Sequence, residues 1–128
     1  MTGNRYFNKE HLWVRVEGNK GTIGLSYHAQ EELGDILLVE PSGLDTEIEQ
    51  SASFGQVESA KAVSDLISPV SGTVIEVNEL LEDEPELMNE DPYEKGWIIK
   101  LTLKDVKELD DLMDEDEYKR YLQEELDS

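Results

Sequence analysis

Lys61 is the residue whose position most clearly suggests chemistry, because it is an isolated cation. No other lysine or arginine occurs between Lys20 and Lys95. Small and polar neighbours in residues 59–62 (SAKA) leave its amine open to an enzyme that attaches an acyl group. Two roles remain open on this basis: a lysine that is modified after translation, or a surface lysine that only aids solubility.

Two carboxylates flank Lys61, with Glu58 three residues before it and Asp65 four residues after it. A neighbouring carboxylate favours the protonated amine, which is a poor nucleophile. Schiff-base or general-base chemistry needs a desolvated lysine or a neighbouring cation instead. We therefore do not expect Lys61 to be catalytic. Acylation stays open, because a modifying enzyme supplies its own activation.

The other side chains offer few routes to catalysis. His11 and His28 are the only histidines, and their spacing matches no metal-ligand motif, so we predict packing or hydrogen-bonding histidines and no metal site. The chain has no cysteine, which excludes thiolate chemistry and disulfides. It also has neither a G-x-S-x-G nucleophile motif nor a phosphate-binding glycine loop. We expect a protein that is not itself an enzyme.

The charge balance excludes several kinds of partner. The 128 residues contain 31 Asp and Glu against 11 Lys and Arg, a formal net charge of −20. Such a field repels nucleic acids and anionic membranes, and it favours a monomer. No run approaches the roughly 18 apolar residues of a membrane-spanning helix. Residues 1–13 hold no continuous apolar stretch, so we expect no secretory signal and a cytoplasmic location.

Glycines and prolines divide the chain into short apolar runs, which is typical of a β protein. Residues 12–17 and 22–25 predict a hairpin with a loop of about four residues, and residues 35–40 predict a buried strand. Residues 96–103 predict the last strand. Lys61 would lie at the tip of a further hairpin. The remaining strands are expected around residue 48 and in residues 54–58, 62–69 and 72–78.

Three segments predict helices. Residues 27–33 end at Gly34, which suits a helix C-terminus, and the acidic segment 79–95 allows one short helix with Pro85 in its first position. After residue 103 the apolar period becomes helical. One face would carry Val106, Leu109, Leu112 and Met113, and another Tyr118, Tyr121, Leu122 and Leu126. No flexible linker is evident, so we predict one domain over residues 1–128, with helices in residues 105–126 packed on it.

Residues 55–78 (GQVESAKAVSDLISPVSGTVIEVN) closely resemble the lipoyl-attachment segment of glycine cleavage system H proteins. The acidic segment 79–95 and the C-terminal helices resemble the H family and not the smaller lipoyl domains of 2-oxoacid dehydrogenases. Alanines at positions 60 and 62 stand where biotin carriers usually have methionine. The resemblance continues, in order and spacing, through residues 9–14 (KEHLWV), 24–35 (GLSYHAQEELGD), 87–93 (LMNEDPY), 96–97 and 109–122.

This resemblance implies a mainly β fold, a barrel-sandwich hybrid of two small sheets with short helices. It implies that Lys61 carries lipoic acid in amide linkage, with Glu58, Ser59 and Asp65 as the attachment context. The implied function is to shuttle the aminomethyl intermediate of glycine decarboxylation. The implied partners are a pyridoxal-phosphate-dependent glycine decarboxylase, a tetrahydrofolate-dependent aminomethyltransferase, dihydrolipoamide dehydrogenase and a lipoyl-attaching enzyme.

Two positions depart from the family pattern. Leu12 and Tyr27 stand where the family usually has acidic residues, and acidic groups of the first region help to hold the loaded arm in a protective cleft. Leu12 cannot accept a hydrogen bond, so a Leu12→Glu substitution is expected to slow hydrolysis of the adduct. The remaining candidates to line the cleft are Glu10, His11 and His28, together with Asp65.

These departures leave two further functions open. One is an H-like lipoyl carrier used for lipoate relay or another lipoate-dependent oxidation. The other is an unmodified acidic interaction module, in which Lys61 carries no acyl group.

Overall fold

The computed structural model describes residues 5–127. Within this range the strands are β1 (Arg5–Phe7), β2 (Leu12–Glu17), β3 (Lys20–Leu25), β4 (Ile36–Pro41), β5 (Glu47–Ile48), β6 (Ser53–Ser59), β7 (Val63–Ile67), β8 (Gly72–Val77) and β9 (Ile99–Leu103). The helices are α1 (Tyr27–Leu33), α2 (Leu80–Asp83), α3 (Leu87–Glu90), a 3-10 helix (Val106–Asp111) and α4 (Glu115–Asp127). None of these helices combines the length and apolar character needed to cross a membrane.

The strands form two antiparallel sheets. One has six strands in the order β1-β2-β3-β9-β8-β5, and the other has three in the order β4-β6-β7. Side chains alternate between the two faces of a strand, so each sheet turns one apolar face inward. The common core includes Val14, Ile23, Val57, Leu66 and Leu101, each no more than 1% exposed. The mainly β prediction is confirmed.

The first hairpin has a tighter turn than the four residues predicted. Glu17 pairs with Lys20, so only Gly18 and Asn19 lie outside the ladder. Gly18 has a φ of +63°, and glycine in the first central position is typical of a two-residue type II′ turn. Such turns match the twist of the strands, which allows the ladder to continue to Lys20.

Strand β4 is only half buried, so the prediction of a buried strand is wrong for part of it. Ile36 and Val39 face the core, whereas Leu37 and Leu38 are 54% and 42% exposed. The small sheet has one face on the core and the other in solvent, as antiparallel sheets commonly do. A register shift between Ile36 and Leu38 also leaves Leu37 unpaired with β6.

The acidic segment 79–95 forms two short helices and not the single one predicted. Pro85 lies between α2 and α3, outside the first helical position of either. Leu81 and Met88 anchor the two helices, since both side chains are buried. The last strand starts only at Ile99 and not at residue 96. In the preceding loop, the Gly96 N–H donates to the Asp91 carbonyl at 2.9 Å.

The C-terminal segment packs on the first strand. Tyr118 is 4% exposed and stacks on Phe7, with ring centroids 4.1 Å apart. Arg5 and Glu115 form an ion pair at 2.7 Å. Helix α4 thus contacts strand β1. The single domain over residues 1–128, with helices in residues 105–126 packed on it, stays a prediction.

The predicted apolar faces of this segment are confirmed in part. Leu109 and Leu112 pack against the main core. Val106 is 53% exposed, because the chain reaches the core only from Leu109 onward. The side chain of Leu126 lies outside the described residues.

Candidate functional site

The β6–β7 hairpin places Lys61 at its tip, as predicted. The ladder runs as far as the pair Glu58 and Val63, and the Ser59 N–H then donates to the Ala62 carbonyl at 2.8 Å. The Ser59 hydroxyl oxygen is nearly buried and accepts from the N–H groups of Lys61 (3.2 Å) and Ala62 (3.1 Å). These bonds fix the backbone of Lys61 while its side chain is exposed.

The turn after α1 supports the tip from the side. The Ala60 N–H donates to the Asp35 carbonyl at 3.0 Å. Gly34 has a φ of +76°, and a Cβ at this position would lie 3.3 Å from the Cε of Lys61. Glycine meets both demands, because it adopts a positive φ freely and leaves room for the lysine methylenes. Helix α1 therefore ends beside the root of the Lys61 side chain.

The flanking carboxylates face outward and do not pair with Lys61. Among the described residues no carboxylate forms an ion pair with its amine. Glu58 lies between its cross-strand neighbours Leu38 and Val63 on the exposed face of the small sheet. Asp65 lies on the same face and accepts a hydrogen bond from the Gln56 amide at 3.3 Å.

Exposed apolar side chains accompany these carboxylates. Leu37, Leu38 and Val63 are 54%, 42% and 60% exposed. Apolar side chains with a polar rim are typical of surfaces that contact other proteins. The hairpin thus presents Lys61 beside a surface that is both apolar and acidic.

Three of the four predicted cleft residues, Glu10, His11 and His28, come together near the start of α1, whereas Asp65 lies beside Gln56 on the exposed face of the small sheet. The rings of His11 and His28 are 4.7 Å apart between centroids, and the Nε2 atom of His28 lies 2.9 Å from Glu32. Burial lowers the pKa of His11 below its usual value, and His28 adds to this shift. The carboxylate of Glu10 acts on the pKa of His11 in the opposite direction, so it belongs to the same surroundings.

Tyr118 closes this cluster from the C-terminal helix. Its hydroxyl oxygen is 2.8 Å from His11 Nδ1 and 2.8 Å from Ser26 Oγ. Burial raises the pKa of Tyr118 far above its usual value, so the hydroxyl stays neutral over the whole physiological range. It therefore serves as a hydrogen-bonding link between Ser26 and His11.

Helix α1 connects the two parts of the site. Gly34 at its end lies beside the Lys61 side chain, and His28 lies in its first turn. Six residues of α-helix rise about 9 Å along the axis, which is the approximate separation between the two parts along α1.

The two positions that depart from the family pattern have different surroundings. Leu12 is 1% exposed and packs in the core. A carboxylate at this position would be buried, so Leu12→Glu is expected to destabilise the fold and not to protect an adduct. Tyr27 is 54% exposed, and its N–H donates to the Tyr93 hydroxyl at 3.1 Å.

Three residues of the site carried no functional signal in the sequence. Tyr118 and Glu125 belong to an acidic C-terminal helix that gives no hint of a contact with His11, which is 107 residues from Tyr118. Gly34 signalled a helix end, but its contact with Lys61 follows only from the docking of α1 on the hairpin.

An exposed lysine at the tip of a hairpin, on two packed antiparallel sheets of six and three strands, is the arrangement found in carrier domains. The family model described as Glycine cleavage H-protein matches residues 5–125. The chain is 54% identical over 116 residues to a glycine cleavage system H protein of Staphylococcus carnosus, covering 91% of this chain and 92% of that protein. The corresponding protein of Vibrio campbellii is 52% identical over 120 residues, with 93% and 95% covered.

A solved structure agrees with these sequence matches. The crystal structure of a glycine cleavage system H protein from Mycobacterium marinum superposes with a TM-score of 0.82, at 33% identity, over 92% of this chain and 95% of that one. The chain belongs to the glycine cleavage H-protein family. The family function is that of a lipoyl carrier in the glycine cleavage system. The expected barrel-sandwich hybrid is confirmed by the structural match.

Proposed function

We propose that Lys61 is the lipoyl-attachment residue through which this chain carries the aminomethyl group of glycine. The observation that carries this proposal is an exposed lysine amine on a backbone held by Ser59 on one side and Asp35 on the other. A lipoyl group fits here, because the amine is exposed and its neighbours Ala60 and Ala62 are small. Glu58, Ser59 and Asp65 form the attachment context that the lipoyl-attaching enzyme contacts.

When bound, the lipoyl group supplies a dithiolane that accepts the aminomethyl group and is later regenerated. The protein's own contribution is positional. The hydrogen-bonded tip fixes the root of the arm, which gives each partner enzyme a high effective concentration of the carried group. We infer that the chain catalyses no step itself and acts as a carrier component.

The proposed partners are a pyridoxal-phosphate-dependent glycine decarboxylase, a tetrahydrofolate-dependent aminomethyltransferase and dihydrolipoamide dehydrogenase. The acidic and apolar surface around Glu58 suits transient docking on partners with basic rims. A monomer without nucleic-acid or membrane partners follows from a net charge of −20. We propose a cytoplasmic location, in keeping with the bacterial sources of the similar proteins.

We further assign Glu10, His11 and His28 to the cleft that receives the loaded arm. The arm starts beside Gly34, and helix α1 offers a path of about 9 Å from there to His28. The carboxylates of Glu10 and Glu32 near the two imidazoles would attract a cationic amine.

The test of the attachment site is mass spectrometry of protein from its native source, followed by a reconstituted glycine decarboxylation assay. We expect one lipoyl group on the peptide that contains Lys61. Lys61→Arg keeps the charge but removes the acylatable amine, so it should abolish glycine-dependent turnover. Lys95→Arg, at another exposed lysine, should retain full turnover. Unmodified Lys61 in a cell whose other lipoyl proteins are modified would refute the proposal and favour the unmodified interaction module.

The same assay distinguishes the proposed function from the alternative, an H-like lipoyl carrier used for lipoate relay or another lipoate-dependent oxidation. That alternative was motivated by Leu12 and Tyr27, and Leu12 lies in the core. A lipoylated protein that fails to support glycine decarboxylation with all three partners present would favour the alternative.

A further inference from the structure

We propose that His11, His28 and Glu125 form a binding site for a divalent transition-metal ion such as Zn²⁺. A ring nitrogen of each histidine and a carboxylate oxygen of Glu125 lie within 4.8 Å of one another. Two imidazoles and a carboxylate are a ligand set that zinc, copper and nickel ions favour over magnesium or calcium. The sequence spacing predicted no metal site, because Glu125 comes from the far end of the chain. The site shares His11 and His28 with the cleft assigned to the loaded arm, so metal ion and arm would exclude each other there. Metal binding itself does not depend on acylation of Lys61.

Tyr118 orients the ring of His11 for this role. The Nδ1 atom lies 2.8 Å from the Tyr118 hydroxyl, which is also 2.8 Å from Ser26 Oγ. A ring that donates from Nδ1 keeps its lone pair on Nε2, and this atom lies 3.6 Å from Glu125 Oε2. Metal-bound histidines almost always use their second nitrogen in such a hydrogen bond, which fixes the tautomer.

Glu32 gives His28 a corresponding support. Its carboxylate lies 2.9 Å from His28 Nε2, one turn along α1. A carboxylate on the outer nitrogen of a histidine is a common arrangement around metal ions, and it makes the ring a stronger ligand. A histidine that donates one ring N–H to a carboxylate keeps a lone pair on its other nitrogen for a metal ion.

The backbone at His11 holds the ring in a sparsely populated conformation. His11 has a φ of +70°, in the left-handed region that residues other than glycine seldom adopt. Its side chain is 15% exposed and that of His28 is 21% exposed, so both rings are shielded. Glu125 is 41% exposed, and its Oε1 accepts a hydrogen bond from the Tyr121 hydroxyl at 3.1 Å. Its Oε2 lies 3.6 Å from His11 Nε2, so one zinc ion can lie about 2.0–2.2 Å from both atoms.

The first test uses nitrogen NMR of the two imidazoles, which give only two sets of signals; the set lost in His28→Gln identifies His28. Protein without a histidine tag is titrated with ZnCl₂ in the presence of excess Mg²⁺, which occupies sites built only of carboxylates. We expect saturation at one Zn²⁺ per chain, with a coordination shift at Nε2 of His11 and at one nitrogen of His28. Zinc binding that leaves either ring unshifted, or that Mg²⁺ abolishes, would overturn the proposal.

Variants then test each ligand by calorimetry. His28→Gln and Glu125→Gln should each weaken Zn²⁺ binding by at least about tenfold. Loss of a residue that only hydrogen-bonds to a ligand already weakens metal binding by about 10- to 100-fold. Glu124→Gln, one residue away on the exposed surface of α4, should bind as the unsubstituted protein does. Equal affinity in the Glu124 and Glu125 variants would contradict the site.

Tyr118→Phe tests the orientation of His11 separately from ligation. The ring still stacks on Phe7, but the hydroxyl that contacts Nδ1 is lost. We expect about 10- to 100-fold weaker Zn²⁺ binding, with coordination still at Nε2 in the NMR spectrum. Unchanged affinity would show that Tyr118 has no part in the site.

Discussion

Ser59 shows how one buried hydroxyl can prepare a neighbouring residue for modification. Its oxygen accepts hydrogen bonds from the N–H groups of Lys61 and Ala62, and its O–H donates to the Ala62 carbonyl at 3.2 Å. Because the turn is tied to a single buried side chain, Lys61 projects from a fixed backbone. The sequence resemblance placed Ser59 in the attachment context, but the hydrogen bonds of its hydroxyl are seen only in the structure.

Ser59→Ala should loosen this tip. Loss of the hydroxyl is expected to lower the free energy of unfolding by about 1 kcal/mol and to slow lipoyl attachment to Lys61. Urea unfolding and the rate of lipoylation by the attaching enzyme measure the two effects. Ser64→Ala, on the exposed part of β7, is the matched control and should change neither. An unaltered attachment rate in Ser59→Ala would mean that the order of the tip is unimportant.

At the scale of elements, α1 relates the arm's root to the histidine cluster. Ser26 caps its start by accepting the Ala29 N–H at 3.1 Å, and Gly34 ends it with a positive φ. The first end therefore lies beside Tyr118 and His28, and the second beside Lys61. A short helix with well-defined ends sets the separation of the two parts.

Gly34→Ala should strain the second end of this helix. An L-residue at a φ of +76° is destabilising by roughly 1–2 kcal/mol, and the new Cβ would meet Lys61 Cε at 3.3 Å. We expect a lower free energy of unfolding in urea. Gly43→Ala is the matched control, since no atom lies within 4 Å of its Cβ and its φ is not positive, so its effect should stay within about 0.5 kcal/mol. Equal stability of the two variants would contradict a strained Gly34.

At the scale of the whole molecule, the net charge of −20 makes every added negative charge unfavourable. Tyr93 lies half-buried beneath the Arg5 guanidinium, which is 4.2 Å from its ring centroid. Burial raises the pKa of Tyr93 above its usual value, outweighing the opposite effects of the Tyr27 N–H and Arg5. The folded state thus keeps this phenol neutral at pH values where the unfolded chain ionises it.

The sign of the pH dependence follows from linkage. Because the folded pKa is raised, the stabilisation is complete below about pH 10, the unfolded pKa, and is lost as pH rises through the folded pKa. Tyr93→Phe should therefore show a shallower loss of unfolding free energy above about pH 10 than the unsubstituted protein. Urea unfolding at a series of alkaline pH values measures this slope. Parallel slopes for the two proteins would contradict the predicted contribution of Tyr93.

Local signals in the sequence determined most of the scaffold and the attachment lysine. Alternating apolar residues and glycine punctuation predicted most strands, residues 27–33 predicted α1, and residues 59–62 predicted the hairpin tip. These features depend on residues a few positions apart, whose conformations are set by neighbouring backbone and side chains. The resemblance of residues 55–78 to lipoyl-attachment segments is likewise contained in one continuous stretch of the chain.

Only the tertiary structure decided which faces are covered and which distant side chains meet. The apolar run in residues 35–40 predicted that Leu37 and Leu38 are buried, yet the small sheet leaves both side chains in solvent. Leu12 stood where the family usually has an acidic cleft residue, yet the second strand places its side chain in the core. His11 and Glu125 meet because α4 packs on β1 at the opposite end of the sequence. Such contacts depend on how whole elements dock, and no local pattern encodes that.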